Sequence, residues 1–364
     1  MRPKRRLAMI SLAVALVVAG FLVFVQFRHE KLYKVTVLPS LGGRITRPCA
    51  INDHGQIAGL AEAVGGGYHL FLWNREKGMQ DLGPTSESAL DINNAGQIAG
   101  TMEDPNGNVR AFLWDPKDGK QMLGTLGGPD SIAWALNNRG QVVGASSPAM
   151  GVPRAFIWDK TSGMRDIGPH GGRGSGAVAI NDAGQVLGFL EADTISRQPK
   201  PCFWDLAHGT NTSGIPLPSS DDYPGGSDIN NSGYVVGRKY HWDKDEYYVY
   251  IWRKDAGLEW LFPLEHSAGP LVLNDANQVL YSEKYYSWFE WLSKRFFSPY
   301  TRRYLWDPKR GRILLDGHVP RRMGELTMVQ DLNNKGCIVG VIRSKVMAYH
   351  LTVLLEPIPD RWNK

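Results

Sequence analysis

Cysteine is scarce in this chain. Cys49, Cys202 and Cys337 are the only three in 364 residues, and none forms a Cys-x-x-Cys pair. An odd count without a spacing pattern excludes a disulfide framework and a zinc ribbon. A single bridge between Cys49 and Cys337 stays open. Excess charge is also missing. The net charge is +5, but Arg2, Lys4, Arg5 and Arg6 carry four of those charges, so the rest of the chain is nearly neutral. The overall pI near 9.0 therefore makes no case for nucleic acid, which needs a basic patch on the folded body. No spacing brings Asp and His together as a catalytic set, and no cofactor fingerprint occurs. The reading is accordingly no catalytic residue, no metal and no cofactor. Uncharged apolar runs are rare too, and one alone is long enough to cross a bilayer.

Turn formers and aromatics are abundant, with 41 Gly, 22 Pro and 12 Trp. That balance suits a turn-rich β protein. Its organising stretch is Ile92-Asn93-Asn94-Ala95-Gly96-Gln97-Ile98-Ala99-Gly100. Copies start at Ile51, Leu136 and Ile180, and looser ones surround Asn230, Asn274 and Asn333. The first Asn falls at 52, 93, 137, 181, 230, 274 and 333. A period in the forties is the mark of a repeat architecture.

A second landmark is a Trp followed five residues later by Gly. It holds at Trp73/Gly78, Trp114/Gly119, Trp158/Gly163, Trp204/Gly209, Trp252/Gly257 and Trp306/Gly311. Between the landmarks lie four short β-like runs per repeat, parted by turn chemistry. Seven repeats of four strands predict an all-β, seven-bladed β-propeller. The seventh repeat has no fourth strand, whereas Tyr33-Lys34-Val35-Thr36-Val37-Leu38 precedes the first with no blade of its own. The N-terminal strand is thus expected to complete the last blade and close the ring.

Before the Trp positions stand His69-Leu70-Phe71, Arg110-Ala111-Phe112 and Arg154-Ala155-Phe156. With the Asn-x-x-Gly turns, these residues resemble the HAF-repeat family over residues 33–356, most closely in the first four repeats. Later repeats depart from the pattern: Asn277 replaces Gly, and Leu354 replaces Trp. The resemblance implies an extracytoplasmic bacterial repeat protein of propeller type. It implies no active site.

Residues 1–6 are a basic flank, and 7–27 read as a transmembrane signal anchor. Its 19 uncharged residues, 7–25, span about 28 Å as a helix, near the hydrocarbon thickness of roughly 30 Å. A cleaved signal peptide is the rival, with Val17-Val18-Ala19 as its cleavage site. The basic flank keeps the N-terminus in the cytoplasm and puts the body in the periplasm or outside the cell. The remaining boundaries are a linker at 28–32, the propeller at 33–359 and a tail at 360–364.

The Asn turns read as tight hairpins, since each holds too few acids for calcium. Four residues before the Trp, a basic residue recurs at His69, Arg110, Arg154, Lys200, Arg302 and, by register, His350. Both blade packing and an anion-binding ring fit that recurrence. Function is expected on the opposite, variable face, because loops on a rigid scaffold carry it. Candidate ligand-binding residues there are Asp130, His170, Arg173, Asp221, Asp222, His266, Arg321 and Arg322. An insertion at 282–301 in the sixth blade adds Trp288, Phe289, Trp291 and Phe296 as a partner surface, lid or membrane contact. Within it, Tyr285, Phe289, Leu292 and Phe296 follow helical spacing. The expected function is a membrane-anchored scaffold that binds a protein or envelope polysaccharide, and not nucleic acid. The alternative is a propeller hydrolase or lyase with its site on the loop face.

Overall fold

The computed structural model describes residues 31–85, 89–168, 174–191, 200–206, 226–241, 243–244, 246–264, 267–285, 300–344 and 349–362. The proposed anchor, 7–27, lies outside them. Among the described residues no helix is long and apolar enough to cross a membrane.

The fold is all-β. Strand β1 (Tyr33–Val37) enters first. Next come β2 (Gly42–Ile51), β3 (Ile57–Ala63), β4 (Tyr68–Asn74) and β5 (Gly78–Pro84), paired in sequence order. The same meander repeats as β6 (Ala89–Ile92), β7 (Ile98–Glu103), β8 (Val109–Asp115) and β9 (Gly119–Met122). It repeats again as β10 (Gly127–Leu136), β11 (Val142–Pro148), β12 (Arg154–Asp159) and β13 (Gly163–Asp166). Three described strands follow, β14 (Ser175–Ile180), β15 (Gln185–Leu190) and β16 (Lys200–Asp205). Two further sheets hold β17 (Gly226–Ile229) to β20 (Gly257–Leu264) and β21 (Ser267–Leu273) to β24 (Gly311–Leu314). The last strands are β25 (Glu325–Leu332), β26 (Ile338–Arg343) and β27 (His350–Pro357).

The chain ends meet at β27. Strand β1 pairs antiparallel with it, from Tyr33 opposite Pro357 to Val37 opposite Val353. Pro357 lies just past the end of β26 that adjoins the Asn333 turn, since Leu355 faces Ile338. Tyr33 and Pro357 therefore both sit on the Asn-turn side. Beyond them Pro359–Trp362 forms one helical turn, α1. Trp362 packs edge-on against Tyr33 at 5.2 Å, and the Arg310 guanidinium covers its ring. Arg361 also donates to the Lys31 carbonyl at 3.1 Å. Arg361 and Trp362, read as part of a tail, thus belong to the packed body.

Packing explains the Trp landmark. Trp73, Trp158, Trp204 and Trp252 are buried. Each core cluster joins neighbouring units: Leu70 and Leu72 meet Ile98 and Phe112, while Phe71 and Trp73 meet Val339 and Leu354 of the last unit. The final Gly of the motif answers a close approach. A Cβ on Gly144 would sit 1.9 Å from the Ile132 carbonyl oxygen.

The predicted helix of the sixth unit cannot begin at Tyr285. The hairpin of β22 (Val279–Tyr285) and β23 (Tyr300–Asp307) continues until Tyr285 faces Tyr300. Extended pairing therefore claims both ends of the predicted insertion. Trp288, Phe289, Trp291 and Phe296 lie outside the described residues. The three cysteines are free thiols, so the Cys49–Cys337 bridge is not formed. Burial pushes the Cys49 thiol up to about 12 and that of Cys337 to about 11, which keeps both protonated and unreactive.

Candidate functional site

The first strand of each unit ends at a central channel, and there the Asn turns do more than reverse the chain. In the turn at 137, Asn137 Oδ1 accepts the N–H groups of Arg139 (3.1 Å) and Gln141 (3.0 Å). Gly140 takes φ +74°, a left-handed value that costs glycine little. Asn137 Nδ2 then reaches out of its unit. It donates to Gln141 Oε1 at 2.8 Å and to the Asn181 carbonyl of the next unit at 3.1 Å.

The same outward bond recurs from Asn52 to Asn93, Asn93 to Asn137, Asn181 to Asn230, Asn230 to Asn274 and Asn274 to Asn333. Asn333 donates back to the Asn52 carbonyl at 2.9 Å, which closes the circuit. All seven Asn side chains are buried. Two units lack the Gln that braces the Asn. Tyr234 and Cys337 stand there instead, and Asn230 bonds to Asn277 Oδ1 at 2.8 Å. Asn277 occupies the glycine position at φ 57°, a region Asn tolerates best among residues with a side chain.

A second circuit lies beside the first. The backbone N–H of each next residue donates to the side-chain oxygen of its counterpart one unit on, at 2.7–2.9 Å, from Asp53 to Asn94 and round to Asn334, which donates to Asp53. Its acids are Asp53, Asp182 and Asp275, and no two are neighbours around the circuit. Where an Asn adjoins an Asp, as at Asn138 and Asp182, the amide donates to the carboxylate (2.9 Å).

Three more carboxylates line the channel, two residues before the Asn. Asp91 accepts N–H bonds from Ile92 and from Leu136 of the next unit, each at 2.8 Å. Asp228 does the same with Ile229 and Leu273, and Asp331 with Leu332 and Ile51. The space they enclose is about 180 Å³, and Asn, Asp, Ile, Leu and Val alone line it. Burial raises the Asp91 carboxyl to about 6 and those of Asp228 and Asp331 to about 7. The two N–H bonds oppose that rise, and the other hub carboxylates add to it at Asp228 and Asp331. Near neutral pH the hub can thus hold protons as well as charge.

The predicted residues fare unevenly. Asp130 is tied into the sheet: its Oδ1 accepts the Val109 N–H at 3.0 Å, and the neighbouring Pro129 carbonyl accepts from Arg110. Arg321 and Arg322 are exposed in the turn before β25. His170, Arg173, Asp221, Asp222 and His266 lie outside the described residues. In the first three units the recurrent basic position forms ion pairs within or beside its own strand pair. His69 meets Asp81 (2.9 Å), Arg110 meets Asp104 (3.2 Å) and Arg154 meets Asp166 (2.9 Å). Sequence reasoning missed Asp91, Asp228 and Asp331. Their shared offset of two residues before the Asn was the available signal.

No family model and no curated protein matches this sequence. Solved structures do match in shape. Oligogalacturonate lyase from Vibrio parahaemolyticus is similar at 12% identity and TM-score 0.55, over 90% of this chain and 94% of that one. The β-propeller domain of the Trilobed protease from Pyrococcus furiosus is similar at 14% identity and TM-score 0.52, over 76% and 86%. TolB from Acinetobacter baumannii aligns at 13% identity and TM-score 0.45 over 83% of this chain, which spans 64% of that protein. At such identities the first two likenesses establish a β-propeller fold and nothing about activity.

Proposed function

We propose that the chain is a seven-bladed propeller closed by its N-terminal strand, anchored in a bacterial cell membrane through residues 7–27, and that it serves as a binding scaffold outside the cytoplasm. Its partner is a protein or an envelope polymer. The observation that carries this reading is the commitment of the hub acids. Every oxygen of Asp91, Asp228 and Asp331 accepts a backbone N–H, and one in each pair comes from the next unit. Carboxylates spent on holding units together are poor candidates for attacking or protonating a substrate, which needs a group within reach of the reacting atom.

The topology supports an orientation. Both ends of the body emerge on the Asn-turn side, so an anchor ahead of Lys31 turns that side toward the bilayer. The opposite face then points to the partner. The full chain in detergent, assayed against uronate polymers, neutral glycans and lactones, tests the reading. No turnover is expected, and steady cleavage of any of them would replace the scaffold with the hydrolase or lyase alternative. Protease protection of the body in sealed cells, lost when the outer barrier is opened, is the expected sign of its location.

A further inference from the structure

Several arginines in this protein are neutralised by a carboxylate. Arg75 pairs with Glu356, Arg154 with Asp166 and Arg303 with Asp316 at 2.5–3.0 Å. Of the arginines with no carboxylate partner among the described residues, five belong to the units where the last meets the first. Arg44, Arg47, Arg321, Arg322 and Arg343 are all exposed, and no carboxylate among the described residues pairs with any of them.

The backbone makes the patch continuous. A Cβ on Gly324 would lie 2.2 Å from the Arg343 carbonyl oxygen, so the turn bearing Arg321 and Arg322 rests against Arg343. Arg343 faces His350 across β26 and β27. His350 in turn bridges to Ile45 of β2, between Arg44 and Arg47. Arg44, Arg321, Arg322 and Arg343 lie at the end of the units away from the Asn turns, and Arg47 lies midway along β2, opposite Leu60. Among the described residues the acids in the same area are Glu62, which accepts the Arg44 backbone N–H at 2.7 Å, and Glu325, which faces Arg343 across β25 and β26. Five guanidiniums therefore stand against two carboxylates on a body that is otherwise close to neutral.

Gathering like charges raises the energy of the folded state, and nothing in the fold requires it here. A binding role accounts for that cost. We propose that Arg44, Arg47, Arg321, Arg322 and Arg343 bind an acidic polysaccharide through its repeated carboxylates. This rests on the scaffold reading and names its ligand class. The guanidinium fork matches a carboxylate with two parallel hydrogen bonds. Several separate forks spread over two units suit a chain with one charge per sugar better than a small anion, which one arginine pair would satisfy. Single-stranded nucleic acid is the competing polyanion, and it requires free aromatic faces for stacking. Tyr349, the aromatic ring beside Arg44, already lies under that guanidinium at 5.9 Å.

The test is binding of polygalacturonate to the full chain in detergent, with neutral dextran and oligo(dT) as the other arms. The wild type binds polygalacturonate, more weakly as salt rises, and does not bind dextran. The triple variant Arg321→Gln/Arg322→Gln/Arg343→Gln keeps its melting temperature and binds about tenfold or more weakly, as expected for the loss of charge-assisted bonds. A wild type that ignores polygalacturonate, a triple variant that binds it as well as the wild type, or tighter binding of oligo(dT) would each overturn the proposal. Cleavage of the polymer by the wild type but not by the variant supports the site while refuting the scaffold reading.

Discussion

The two faces of this propeller use the same kinds of side chain in opposite ways. On the Asn-turn face, polar groups are abundant, buried and fully engaged. Seven Asn amides and the hub carboxylates are all tied to backbone groups of their own and neighbouring units. On the far face, between the last and first units, arginines stand exposed and unpaired. A buried polar group without partners costs free energy, so the first face is specified strictly and repeats. Exposed charges stay solvated, which keeps the repulsion among them tolerable, so the second face can vary and serve the proposed ligand. Regularity here marks what holds the units together, and departure from it marks the proposed binding face.

Several substitutions break or sharpen that contrast. Asn137→Ala has the largest expected effect. It leaves the Asn181 carbonyl and the Arg139 and Gln141 N–H groups without partners in a buried site, and should lower the unfolding free energy by about 3 kcal/mol in urea titrations. Trp362→Ala should cost roughly 2 kcal/mol by the same measurement, because Tyr33 and Arg310 lose their packing partner. Gly140→Ala forces a side chain to φ +74° and brings its Cβ to 3.2 Å from Gln97 Oε1, for about 1 kcal/mol. At the far end, Arg343→Gln should leave stability within about 0.5 kcal/mol, since its charge is solvated and unpaired.

Acid sharpens the contrast further. The unfolded chain ionises its aspartates near 3.9. In the folded hub, Asp91, Asp228 and Asp331 keep their protons up to about 6 or 7. The native state thus binds more protons than the unfolded chain between these limits, and its stability rises as pH falls from 7.5 toward 5. The three side chains are half-buried, so water in the channel tempers the gain to a few degrees of melting temperature. Below about 4 the trend reverses, as Asp104, Asp115 and Asp159, held below the usual range by hydrogen bonds, become protonated. Asp331→Asn should flatten the rise between pH 7.5 and 5. An unchanged slope in that variant would remove Asp331 from the account.

Much of this fold is legible in the sequence because its signals are local. The Asn-x-x-Gly turn, the buried Trp with its following Gly, and the orphan strand at Tyr33 each announce one step of the meander. The shared sheet at the chain ends follows from counting strands. What could not be read is long-range. The bond from Asn137 to the Asn181 carbonyl spans 44 positions, and nothing near Asn137 states it. The carboxylates at 91, 228 and 331 occur in three units of seven, so they look incidental until the channel brings them together. Trp362 looked like part of a tail because its partners, Tyr33 and Arg310, are distant in the chain. The arginine patch was half seen, through Arg321 and Arg322. Arg343 follows them in the same unit, whereas Arg44 and Arg47 come from the far end of the sequence and meet them only where β2 pairs with β27. The brace from Asp130 to the Val109 amide is also long-range, across 21 positions, and nothing near Asp130 states it.

The central claim is that one face frames the ring and the opposite face binds. Hydrogen–deuterium exchange of the full chain, with and without polygalacturonate, addresses it most directly. The account predicts slow exchange at the seven Asn turns in both samples, with new protection confined to residues 42–47, 321–325, 343–344 and 349–350. Protection that appears instead at the Asn turns and the hub strands would contradict it.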